Sequence, residues 1–176
     1  MGFHISWVAV RGVTPNVVRS RLRLRQTNER EYVPESDVTG VELPTGWYLV
    51  FFNDPLPPEL DDEKLASLSI DAEMFVFVVE ESSMVSLAKG YLRGEKQWEV
   101  VHDSNQGLEH VEVSGTPPSS YQAIRDRLLE ELKTDDNPCD YLFDIPADMS
   151  MSLVSFRHDQ DIEGIEGDAF EVLART

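Results

Sequence analysis

Four histidines and one acidic run are the residues of this chain best equipped for chemistry. His4, His102, His110 and His158 are spread along its length, and two of them precede an aspartate, as His102-Asp103 and His158-Asp159. Neutral imidazole binds Zn²⁺ well and also serves as a general base near neutral pH. His102 and His110 flank one short loop, so a hairpin there would bring them near each other. Trp98 shares strand parity with His102, which makes a small polar-aromatic face at that hairpin, and Tyr91 sits on the preceding strand. The sequence reading therefore takes Tyr91, Trp98, His102, His110, His158 and Asp159 as its candidate binding surface. Arg, Trp and Tyr are the residue types that most often anchor an interface.

The acidic run, "HDQDIEGIEGDAFEVL", begins like a calcium loop. Asp159, Asp161, Glu163 and Gly164 occupy the positions of D-x-[DN]-x-[DN]-G, with Glu standing at the third acidic site. The second half departs from the pattern. Phe170 stands where the bidentate Glu should be, Glu171 comes one residue late, and Glu166 replaces the usual apolar residue. The segment then turns β-like where an EF-hand would enter a helix. It reads as a solvated turn between the last helix and the last strand, so neither a metal nor any other cofactor is expected. The single cysteine, Cys139, excludes an internal disulfide and suits a reducing, cytoplasmic compartment. No G-x-S-x-G, Walker loop, G-x-G-x-x-G, H-E-x-x-H or C-x-x-C occurs, which argues against the familiar catalytic classes without excluding an enzyme.

Charge narrows the choice of partner. The chain carries 33 Asp and Glu against 15 Lys and Arg, a net charge of −18. Residues 1–31 are the exception, with six Arg and only two Glu, and the alternation "RSRLRLR" gathers four of those arginines. A field of this sign repels phosphate backbones and anionic lipid, so neither nucleic acid nor a membrane is an expected partner. A basic protein is the natural complement. The Arg-rich stretch is expected to pair with acids of the same chain.

These residues need a scaffold, and the patterning supplies one. At 176 residues with 41% hydrophobic residues, the chain can bury a core as a single globular domain over 1–176. Its start, "MGFHISWVAVRG", lacks a basic segment ahead of the apolar residues and reads as a strand, not a leader. Thr14-Pro15 opens a short helix to about Leu22, and residues 23–46 read as a long irregular segment. "GWYLVFFND" is a strand, and a helix follows through Leu60, Leu65 and Leu68. Residues 73–113 then alternate as four consecutive antiparallel strands. Ser119 and Gln122 suggest a capping box for a long helix with Tyr121, Ile124, Leu128, Leu129 and Leu132 on its buried side. "DYLFDIP" reads as a short strand, Pro146 opens a final helix, and "FEVLA" closes as a strand.

The fold expected is α+β: a mixed, largely antiparallel sheet with a central four-strand meander and about four helices, mainly on one face. The function expected is an acidic protein-binding module, in its most concrete form a bacterial immunity or antitoxin-type protein that blocks a basic toxin. An alternative is a small-ligand or metal-assisted hydrolase built from the 23–46 segment, the His102–His110 hairpin and the His158–Glu163 turn. A third is a purely structural role.

Overall fold

The computed structural model describes residues 2–176. Nine strands form one sheet in the order β2-β9-β3-β4-β1-β5-β6-β7-β8, and every pairing is antiparallel. The strands are β1 (His4–Arg11), β2 (Leu24–Glu31), β3 (Val38–Glu42), β4 (Tyr48–Phe52), β5 (Glu73–Glu80), β6 (Val85–Leu92), β7 (Glu95–Asp103), β8 (Glu112–Gly115) and β9 (Phe170–Arg175). Four α-helices connect them: α1 (Pro15–Arg21), α2 (Asp62–Leu68), α3 (Ser120–Thr134) and α4 (Ile145–Val154). The α+β class and the four-strand meander β5–β8 are as the sequence implied, and no parallel pair is present among the described residues.

β1 sits mid-sheet because it is apolar on both sides. Its residues from Ile5 to Val10 are all buried, as expected of a strand with cover above and below. One parity, Ile5, Trp7 and Ala9, joins a core with Leu49, Phe51, Phe75 and Phe77. The two longer helices, α3 and α4, roof this face through Leu128, Leu132, Ile145 and Met149. Trp7 is fully buried there, stacked between Phe75 and Phe77, each 5.3 Å away between ring centres. The other parity, Val8 and Val10, joins Val50, Phe52, Met74 and Val76 under the short helices α1 and α2, through Val18, Leu65 and Leu68. The longer helices thus share one face, and the shorter ones cover part of the other.

Four local expectations give way. Residues 23–46 are not an irregular excursion, because they hold β2 and β3. β2 is an edge strand with one partner, and its residues "LRQTNERE" show solvent on most sides, so the period-two signal is missing. The "DYLFD" segment forms a 3-10 turn over Tyr141–Asp144 that leads straight into α4. β8 spans only Glu112–Gly115, so the last strand of the 73–113 run is shorter than expected. The capping box does not form: Ser119 makes no side-chain cap, and Gln122 bonds Asp126 2.8 Å away along the helix.

Two of the four arginines of "RSRLRLR", Arg19 and Arg21, pair with acids of the same chain, and Arg23 and Arg25 make no such pair among the described residues. The Arg19 guanidinium donates to Glu171 at 2.6 Å and to the Tyr48 hydroxyl at 3.1 Å. Tyr48 donates to the same Glu171 oxygen at 2.5 Å, and Gln26 holds the other oxygen. This buried network ties α1, β2, β4 and β9 together. Gly40 makes room for it, since a Cβ there would lie 2.2 Å from the Tyr48 hydroxyl. Arg21 forms a two-point pair with Asp71 at 2.5 and 2.9 Å.

Candidate functional site

The histidine hairpin is built, but its nitrogens are spent inside the fold. His102 lies on β7 facing the α3–α4 side and is fully buried. Its Nδ1 donates to the His110 carbonyl at 2.6 Å, because a carbonyl can only accept. Its Nε2 lies 3.3 Å from the Ser104 hydroxyl and 2.9 Å from Asp140 Oδ1, the latter without hydrogen-bond alignment. The Ser104 hydroxyl donates to the other Asp140 oxygen. Ser104, His102 and Asp140 are the residue types of a nucleophilic triad, but a triad places its acid and its hydroxyl on opposite ring nitrogens. Here both lie on Nε2, so the trio is a clasp between β7 and the turn that opens α4. The adjacent β6 residue Ser86 adds a second tie, donating to the Phe143 carbonyl at 2.8 Å. Asp140 was not visible as a partner from the sequence, since it lies 36 positions from Ser104 and nothing in "NPCDYLF" signals the contact.

His110 is satisfied in the same way. Its Nδ1 accepts the Asp103 amide at 3.0 Å, which fixes the proton on Nε2, 3.1 Å from Glu112. The two rings are 6.2 Å apart between centres and turn their nitrogens to different partners. Neither ring keeps a lone pair directed toward a shared ligand.

His158 lies elsewhere. Its ring packs edge-on against Phe3 at 4.5 Å and tilted on Phe77 at 5.2 Å. Burial lowers its pKa, which favours the neutral ring. Asp159 beside it is clamped by Arg157, with bonds of 2.7 and 3.1 Å to its two oxygens. The same guanidinium reaches Asp144 at 3.2 Å and also binds Asp148. Burial pushes the Asp144 carboxyl above its usual range. The acidic turn is therefore a lid held by its apolar residues, Ile162 and Ile165, against the main core, with Asp161 and Glu163 in solvent. Among the described residues, no three His, Cys, Asp or Glu side chains gather as a metal cage.

Tyr91 and Trp98 point to opposite faces. Trp98 pairs across from Gly90 on the α3–α4 side, and its indole lies on the Gly90 backbone, where a Cβ would meet the ring nitrogen at 2.3 Å. Tyr91 is on the other side, and its hydroxyl donates to Asp62 at 2.7 Å. The six residues singled out in the sequence thus form three separate groups: the His102–His110 clasp, the His158–Asp159 lid and the divided pair Tyr91 and Trp98.

What the structure exposes is the reverse side of the same strands. Over Val85–Ala88 of β6 and Trp98–Asp103 of β7 the residues alternate between a roofed face and a bare one. Ser86 and Ala88, with Val100 and His102, turn to the roof and are buried. Val85, Leu87, Glu99, Val101 and Asp103 turn away and stay half exposed. Cross-strand register aligns Val78, Leu87 and Val101 in one row that ends at Glu112. The next row runs Glu80, Val85, Asp103. The segment from Pro55 to Asp61, ahead of α2, leans over this end of the sheet. The result is a concavity of about 520 Å³ floored by Val76, Val78, Val85 and Leu87 and walled by Leu56, whose side chain is 83% exposed.

The rim is acidic. Asp61 and Glu80 border the concavity, and Glu99, Asp103 and Glu112 continue the bare face outward. Bonds from Gln106 and Asn105 hold Asp103 below the usual carboxylate range, and bonds from Ser82 and His4 do the same for Glu80. Both carry full negative charge at neutral pH. The single lysine of the lining, Lys89, is engaged by Asp62 at 2.5 Å, which keeps that carboxyl ionised to lower pH than usual. Hydrophobic floor, exposed Leu56 and carboxylate rim together can receive an apolar side chain flanked by cations.

No protein-family model, curated protein or solved structure matches this chain. Among the described residues, no helix is long and apolar enough to cross a membrane.

Proposed function

We propose that this protein is a binding module for a basic protein, received on the bare face of β5–β7. The observation that supports it is the apolar row Val78–Leu87–Val101, left half exposed next to Leu56 and rimmed by carboxylates. Contiguous apolar surface framed by polar residues marks interaction sites. Burying one aliphatic side chain of a partner there is worth about 1.5–3 kcal/mol. The carboxylates would steer a cationic surface to the site and speed association more than they add to affinity. An immunity or antitoxin-type role in the bacterial cytoplasm, with a basic toxin as partner, is the concrete form of this reading. It rests on the charge of −18 and the bare face together.

The test compares the wild-type protein with Leu87→Asn and with Asp103→Asn plus Glu112→Gln. Each is tagged, exposed to lysate of the source cells at low and high salt, and the captured proteins are identified by mass spectrometry. A basic protein held by the wild type, released by salt and lost from Leu87→Asn supports the proposal. The same captured set on wild type and Leu87→Asn would overturn it.

A further inference from the structure

The clearest departure from the acidic surface lies beside the bare face, across Pro58, which borders both hollows. Arg21, Arg23, Lys64 and Arg175 converge on a concavity of about 350 Å³ between the end of α1, the start of α2 and the end of β9. Four of the chain's 15 Lys and Arg therefore share one hollow, in a protein with 33 acids.

Two of the four are braced. Arg21 is fixed by Asp71, and Arg175 donates from Nε to Glu59 at 2.6 Å and from Nη2 to its other oxygen at 3.4 Å. Glu59 is buried, so Arg175 is held as a rigid wall with its Nη1 free. The other two carry unneutralised charge. Lys64 donates to the Pro58 carbonyl at 2.6 Å and makes no ion pair, and Arg23 makes neither ion pair nor side-chain hydrogen bond among the described residues. Glu59 and Asp71 are each already paired, Asp37 and Asp54 reach Arg175 at longer range, and Asp61, Asp62 and Glu63 precede Lys64 in the chain.

Arg23 adds a second signal. Its backbone has φ of 55°, a left-handed conformation in which glycine or asparagine is cheaper. Its carbonyl is held there by the Thr176 amide at 2.9 Å and hydroxyl at 3.0 Å. A long cationic side chain at a position that favours a small residue points to a use for the charge. Guanidinium forks with an ammonium are the donor set that recognises phosphate oxygens.

We propose that this hollow binds a small phosphate-class anion, with Arg23 and Lys64 as the principal contacts and Arg175 Nη1 as a third donor. The chemistry is shared by free phosphate and by phosphate monoesters. The site shares only Pro58 with the lining of the bare face, and its proposed donors, Arg23, Lys64 and Arg175, belong to it alone, so it is tested separately from the protein-binding proposal.

The experiment titrates the full chain with inorganic phosphate and, separately, methyl phosphate, each against sodium chloride at matched ionic strength. Melting temperature and amide NMR shifts are read for the wild type and for Arg23→Gln with Lys64→Gln. Both residues are exposed and unpaired, so the double variant keeps the fold. The expected result is a rise of about 5 °C at a ligand concentration a hundredfold above Kd. Shifts should be confined to the neighbourhood of residues 21–23, 58–64 and 175, and both effects should vanish in the double variant. A response to phosphate alone would identify the free ion as the ligand, and one to methyl phosphate the ester. No rise above the chloride control, or an equal rise in the double variant, overturns the proposal.

Discussion

The two sides of β6 and β7 are made from the same strands and have opposite fates. On one side Ser86, Ala88, Val100 and His102 lie under α3 and α4, and the polar side chains of Ser86 and His102 are hydrogen-bonded within the fold. On the other, Val85, Leu87 and Val101 are comparably apolar and carry no roof. Strand register cannot produce this difference, because alternation treats both faces alike. Helix length does. α3 and α4 have 15 and 10 residues, and α4 packs across β5, β6 and β7, whereas α1 and α2 have seven each, with α1 against β2 and α2 against β6. A roofed face returns its apolar area as stability, and a bare face keeps that area available to a partner.

Substitutions on the two sides should therefore separate stability from binding. Trp7→Ala would remove the ring stacked between Phe75 and Phe77 and leave a cavity under α4, costing about 3–5 kcal/mol. Denaturant unfolding should show a lower midpoint at unchanged slope, and an effect below about 1 kcal/mol would mean that the roofed core is looser than described.

His102→Leu probes the clasp on the same side. It would keep the volume but leave Asp140 and the His110 carbonyl without their imidazole, at a cost of about 2–3 kcal/mol. Amide exchange should speed in β8 and in the turn before α4 more than in β1. Uniform acceleration would sink the view that this trio fastens one local junction.

Leu87→Asn, on the bare side, should change stability by less than about 1 kcal/mol while abolishing capture of the partner. A loss as large as that of Trp7→Ala would show that the bare face is core after all.

The smallest effect expected is a pH slope. Burial depresses the folded pKa of His158, so the unfolded chain takes up the proton first as pH falls. Its contribution is complete above the unfolded value of about 6.5 and is lost as pH drops below it toward the folded value. Asp159 and Glu81 oppose this shift and Arg157 reinforces it. His158→Phe should keep the ring contacts with Phe3 and Phe77 and flatten the fall in melting temperature between about pH 7 and pH 5.5. An unchanged profile would remove His158 as its source.

Much of this framework was legible in the residues. The largely apolar β1, the alternation of residues 73–113 and the apolar stripe of α3 fix element types through local periodicity, which needs no tertiary information. β2 was hidden because an edge strand with one partner and little buried area has no period to read. The candidate residues were chosen by type, and type does not say where a nitrogen points. His102 looked like a ligand until Asp140 and the His110 carbonyl filled both sides of its ring.

By itself, then, the sequence determined the α+β class, the order of the main elements and an acidic surface, because composition and periodicity act locally and add along the chain. Only the tertiary structure decided which apolar rows are covered, which histidines are spent and where the few cations gather. Those outcomes depend on how far each helix reaches over a shared sheet and on contacts such as Arg19 with Glu171, between residues distant in sequence. No local pattern encodes them.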